Sequence, residues 1–113
     1  MVNPDNTVFL QDIADSCRKV IQFSKGMSYP QFAVDERTVS AVVRELSVIG
    51  EAARRVTDDF RTAHPQVPWE KIFGMRNRLV HEYMGVQLPI VWQTANEDIP
   101  QLKRIVEGIL KSE

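Results

Sequence analysis

Apolar residues spaced three and four positions apart recur along this chain, and that period decides its architecture. Leu10, Ile13, Ala14, Cys17, Val20 and Ile21 make one stripe, and Val39, Val42, Val43, Leu46, Ile49, Ala53 and Val56 a second. Trp69, Ile72, Phe73, Val80 and Tyr83 make a third; Leu88, Val91, Ala95, Ile99, Leu102, Ile105, Val106, Ile109 and Leu110 make a fourth. At about 100° per residue each set falls on one face of a helix. No segment shows the two-residue alternation of a half-buried strand. The pattern predicts an all-α protein, a four- to five-helix bundle, with residues 1–113 forming one domain.

Local signals set the expected boundaries. Asn3-Pro4 is a capping side chain followed by proline at the first helical position, and Gly26 suits a C-terminal cap. Ser28-Tyr29-Pro30 opens a connector of about one helical turn. Asp35 can cap the second long helix, where Gly50, Ala52 and Ala53 are small enough to let a neighbour approach. His64-Pro65-Gln66-Val67-Pro68 reads as a rigid linker, with Pro68 starting a third helix that should end near Met84-Gly85. Pro100 removes a backbone donor from the last helix, which predicts a kink or break near Asp98.

Composition narrows the function classes. A net charge of -1 argues against a chain that coats nucleic acid through bulk charge. It is compatible with a local basic cluster of Lys71, Arg76, Arg78 and His81, in which Lys71 and Arg78 are candidate RNA-binding cations. Cys17 stands alone, so no intramolecular disulfide can form, and a reducing cytoplasmic setting is expected. Residues 1–5 carry neither a basic nor an apolar leader region. No apolar run approaches the roughly 20 residues of a membrane span.

The chemistry concentrates in Arg76-Asn77-Arg78-Leu79-Val80-His81-Glu82-Tyr83. On a regular helix Arg76 falls inside the apolar stripe, about 20° from Tyr83, while Arg78 and Glu82 project oppositely as a solvated pair. A guanidinium on a core-facing bearing is costly unless it is paired or faces a cleft. Arg76 and His81 would lie about 140° apart on such a helix. An interruption at Gly74-Met75-Arg76, with Asn77 capping a new helix, could bring them together beside a phosphate-binding helix end. Two chains about a two-fold axis could do the same. These residue types suit attack of a ribose 2′-hydroxyl on its adjacent phosphodiester. His81 would move the proton, Arg76 would hold the phosphate oxygens, and Asn77 would orient the site or cap its helix. Neither a metal nor another cofactor is expected. Plainer roles fit the same residues: Arg76 paired with Glu45 or Glu51, His81 bonded to a carbonyl, and Tyr83 at an amphipathic rim.

The same string resembles the Arg-x4-His-x-Tyr signature of HepT-like toxins in the HEPN superfamily. The likeness extends to Ile49-Gly50-Glu51-Ala52-Ala53, His64-Pro65, Pro68-Trp69, Ile90-Val91-Trp92 and Asp98-Ile99-Pro100, and covers most of the chain from about Asp35 onward, plus the first helix in outline. The resemblance implies a two-fold homodimer acting as a metal-independent endoribonuclease, with Arg76 and His81 in a cleft between protomers. It also implies a toxin–antitoxin pair, in which a minimal nucleotidyltransferase antitoxin transfers AMP from ATP to Tyr83. Gln87 departs from the acidic residue common in such proteins, which bears on partner contacts. Two other classes compete. A histidine phosphotransfer bundle usually carries a lysine soon after its histidine, whereas Glu82-Tyr83-Met84-Gly85 follows His81 here. A non-catalytic helical partner that docks a nucleotidyltransferase would share the family's sequence features without cutting RNA.

Overall fold

In the computed structural model, residues 4–75, 77, 80–81 and 85–112 are described. The helices are α1 (Pro4–Ser24), α2 (Tyr29–Ala33), α3 (Glu36–Arg55), α4 (Asp58–Ala63), α5 (Trp69–Phe73), α6 (Leu88–Gln93) and α7 (Ile99–Ser112). Between α5 and α6 a two-residue antiparallel ladder pairs β1 (Val80–His81) with β2 (Gly85–Val86). The fold class is all-α, as the periodicity predicts. Among the described residues, no helix is long and apolar enough to cross a membrane.

The core lies where α1 packs against α3 and α7. Leu10, Ile13, Ala14, Cys17 and Val20 are wholly buried on α1, facing Val42, Leu46, Ile49 and Ala53 of α3 and Ile99 and Val106 of α7. These are the stripes read from the sequence, closed on one another because each amphipathic face gains by leaving water. Two polar contacts cross this interior. Ser16 Oγ donates to Glu45 Oε1 at 2.9 Å between α1 and α3. Asn6, near the start of α1, bonds both the amide and the hydroxyl of Thr57 at the α3–α4 junction.

Of the expected caps, those at Gly26 and Asp35 are present, and Asn3 lies outside the described residues. Gly26 takes a positive φ of 77° just beyond α1, a conformation that needs no Cβ. Ser28 and Gln31 form a reciprocal capping box on α2. The Asp35 carboxylate accepts from the Thr38 amide at 3.0 Å, and that bond holds its pKa below the usual value. Phe32 of α2 is buried and packs on Trp92 of α6, with ring centroids 5.1 Å apart.

The last stripe is interrupted as Pro100 requires. Thr94–Asp98 forms a π-helical turn, and the Ile99 amide donates to the Thr94 carbonyl, five residues back. The wider turn brings the chain into α7 with proline in its first turn, where a missing N–H is tolerated.

One expectation is corrected. The third helix does not run from Pro68 to Met84-Gly85. α5 stops at Phe73, with Gly74 as its C-cap, and Val80–His81 is extended and paired with Gly85–Val86. The register sets Val80 opposite Val86 and His81 opposite Gly85, and Gly85 adopts a φ of 74°, a conformation that favours glycine. Helical spacing of Val80 from Trp69 therefore carries no information about a shared face, and Tyr83, the last residue of that stripe, lies outside the described residues. The interruption at Gly74 is one of the two geometries anticipated. Asn77 is itself helical and exposed, and the chain is extended by Val80, so Asn77 does not cap a helix running through His81. A second departure is α4, a short helix between α3 and the linker that the stripes did not reveal. Val56, the C-cap of α3, is extended, and Thr57 restarts the chain with buried Phe60 as its core contact.

Candidate functional site

The motif begins where α5 ends, and the fold spends several contacts on that point. Trp69 opens α5 buried, with its indole N–H donating to the His64 carbonyl at 3.0 Å. His64 in turn stacks on Phe60, centroids 4.0 Å apart, and its Nδ1 lies 3.0 Å from the Phe60 carbonyl. The linker His64–Pro68 is thus tied at both ends, as its prolines suggested. Ile72 and Met75 are buried on either side of Gly74. A Cβ on Gly50 of α3 would lie 3.5 Å from the Ile72 carbonyl oxygen, so the two backbones meet closely. The small residues of α3 accommodate α5.

Cations gather at the same end. Arg54 Nη2 donates to the Phe73 carbonyl at 3.2 Å, and the Arg61 guanidinium lies 5.2 Å from the centroid of the Phe73 ring. Arg61 also bonds the Val56 carbonyl at 2.5 Å and the Asp58 carboxylate. Beside them runs an open cleft of about 530 Å³ lined by Arg61, Thr62, Trp69, Lys71 and Phe73. Lys71 Nζ is 3.0 Å from Asp98 Oδ1, which links α5 to the π-helical turn. Such an exposed pair is worth at most about 1 kcal/mol, so a polyanion can compete for the lysine.

Of the residues singled out in the sequence, Lys71 is placed at this cleft and Asn77 is exposed four residues beyond Phe73. The backbone of His81 is paired with Gly85. Arg76, Arg78 and Tyr83 lie outside the described residues. Glu45, one alternative partner for Arg76, is buried against Ser16 on the α1 side of α3. Arg54 and Arg61 escaped the sequence reading. They precede Phe73 by 19 and 12 residues, and nothing short of the fold brings them to it.

Comparison with known proteins bears on this segment directly. Residues 13–109 match the family described as ribonuclease HepT-like. The chain belongs to the HepT-like ribonuclease family. It is 38% identical over 103 residues to a Thermococcus cleftensis protein named "Probable ribonuclease HepT", covering 91% of this chain and 94% of that one. A Methanocaldococcus jannaschii protein provisionally named an RNase is 40% identical over 107 residues, 95% of this chain and 98% of its own. A third relative, from Caldanaerobacter subterraneus subsp. tengcongensis and named in the same provisional way, is 41% identical over 105 residues, 93% and 94% respectively. No solved structure matches the chain. The family match runs through the whole segment from α5 to α6, so the site belongs to the part that this chain shares with the family.

Proposed function

We propose that this family member is a metal-independent endoribonuclease toxin whose cleavage rests on Arg76 and His81. The observation that carries the reading is the match to a ribonuclease family across residues 13–109, which includes the only Arg-x4-His-x-Tyr string in the chain. In the reaction, the ribose 2′-oxygen attacks the adjacent phosphorus and the 5′-oxygen of the next nucleotide leaves. His81 accepts the 2′-hydroxyl proton, and the leaving oxygen takes a proton from the second histidine of a two-fold site. Arg76 offsets the charge on the phosphoryl oxygens as it builds, and Asn77, exposed at the start of the motif, orients the segment. The products are a 2′,3′-cyclic phosphate and a 5′-hydroxyl. Lys71 and Arg78 draw the RNA backbone toward the cleft.

Control of the activity falls to Tyr83. A tyrosine hydroxyl, with a pKa near 10, needs a partner enzyme to become a nucleophile at neutral pH. A minimal nucleotidyltransferase antitoxin supplies that activation: the Tyr83 oxygen attacks the α-phosphorus of ATP, and pyrophosphate leaves. The resulting AMP ester sets bulk and a negative charge beside the arginine and histidine, which repels RNA.

The deciding experiment compares wild type, Arg76→Ala and His81→Ala on a labelled RNA with EDTA present. Wild type should cleave and leave 2′,3′-cyclic phosphate ends, and both variants should lose cleavage while keeping the helical circular dichroism. Full activity in His81→Ala, or a strict metal requirement, contradicts the mechanism. Absence of cleavage by wild type returns the chain to the non-catalytic, docking class.

A further inference from the structure

The carbonyls at the end of a helix have no intrahelical partner and must be met from elsewhere. At the end of α5 the Gly74 amide serves Glu70 and Ile72, and the Phe73 carbonyl accepts from a side chain. That side chain is Arg54, whose Nη2 reaches the Phe73 carbonyl from α3 at 3.2 Å. One turn earlier on the same face of α3, Gly50 allows the Ile72 carbonyl to come within 3.5 Å of a Cβ position. Arg61 covers the ring of Phe73 from α4. Phe73 is therefore held through its backbone and its ring by two arginines from two other helices. Arg76 follows three residues later in the chain, and Asn77 four.

We propose that Arg54 is a positioning residue for RNA cleavage, fixing through the Phe73 carbonyl the point from which the motif segment departs. This rests on the assignment of cleavage to Arg76 and His81. The anchor matters there because Gly74, the next residue, has no side chain to hold the backbone, and α5 is a helix of one and a half turns that cannot set its own direction. A small displacement of a catalytic group from its productive geometry is costly in rate, whereas ground-state binding of RNA through other cations is not affected. Arg54 thus acts on kcat and not on KM. If Arg54 instead gripped RNA phosphate directly, its loss would weaken binding and lower the salt dependence by about one phosphate contact.

The test uses the full chain with Arg54→Ala, Arg54→Lys and, as a charge-matched control, Arg55→Ala, whose side chain borders a different groove with Phe9 and Asp12. Arg54→Ala should lower kcat roughly tenfold with KM and its salt slope unchanged, Arg54→Lys should restore most of the loss, and Arg55→Ala should match wild type. Hydrogen exchange of residues 70–77 should be faster in Arg54→Ala. Thermal midpoints separate loss of fold from loss of kcat, and Arg54→Gln replaces the alanine variant should that one not fold. An unchanged kcat, or a loss confined to KM with a shallower salt slope, overturns the positioning role while leaving the ribonuclease assignment standing. No cleavage by wild type overturns the assignment itself, and with it the role of Arg54.

Discussion

Asn6 and Thr57 hold each other by two hydrogen bonds across 51 residues of chain. The Asn6 side-chain oxygen accepts from the Thr57 amide at 3.1 Å, and its nitrogen donates to the Thr57 hydroxyl at 3.0 Å. Asn6 is 2% exposed, so both its polar atoms depend on this contact for what water would otherwise supply. The pair ties the first turn of α1 to the junction of α3 and α4, and so steadies the helix from which Arg61 reaches Phe73. Asn6→Ala leaves the Thr57 amide without its partner and should cost about 2 kcal/mol. Urea unfolding should show a lower midpoint at an unchanged slope. A loss below about 0.5 kcal/mol would mean that water replaces Asn6 at no cost.

Gly85→Ala probes the β1–β2 ladder. Among the described residues a Cβ there meets nothing within 4 Å, but the φ of 74° opposes the change. The backbone penalty for a non-glycine residue in this region is about 1 kcal/mol. We expect a loss of stability of that size together with slower cleavage, because Gly85 is the backbone partner of His81. Equal stability and equal cleavage in wild type and variant would show that the pairing does not matter to the site.

Cys17 should be inert in the native protein. It is fully buried, and burial, with the Glu107 charge adding to it, pushes the thiol up to about 12. Iodoacetamide at pH 8 should label the chain only after denaturation, read as the mass of the intact protein. The same shift makes stability fall as pH rises above 9.0, the thiol's ordinary value. There the unfolded chain releases a proton that the folded chain keeps until about 12. A Cys17→Ala variant should show a flatter alkaline limb. Rapid labelling of folded protein at pH 8 would contradict the burial.

Tyr83→Phe separates modification from simple docking. Incubated with a cognate nucleotidyltransferase, ATP and magnesium, wild type should gain the mass of one AMP on the peptide containing Tyr83 and lose its nuclease activity. The phenylalanine variant should remain unmodified and active. Inhibition that persists unchanged in Tyr83→Phe, or an adduct on Tyr29, would place control at another site.

The sequence by itself determined the helical class, the inward faces of α1, α3 and α7, the caps at Gly26 and Asp35, and the break before Pro100. All of these follow from short-range rules: side-chain period, a missing amide, a residue free to take positive φ, a side chain within reach of the next turn. The motif's residue types were legible for the same reason, since Arg76, His81 and Tyr83 lie within eight positions. Their setting was not. Val80 satisfies a helical stripe and a strand equally well, and what decides between them is the partner Val86 together with the left-handed Gly85. The end of α5 depends likewise on Arg54 and Arg61, brought to Phe73 only after α3 and α4 have packed. Contacts between residues far apart in the chain cost loop entropy and are repaid only by the assembled core, so no local pattern announces them.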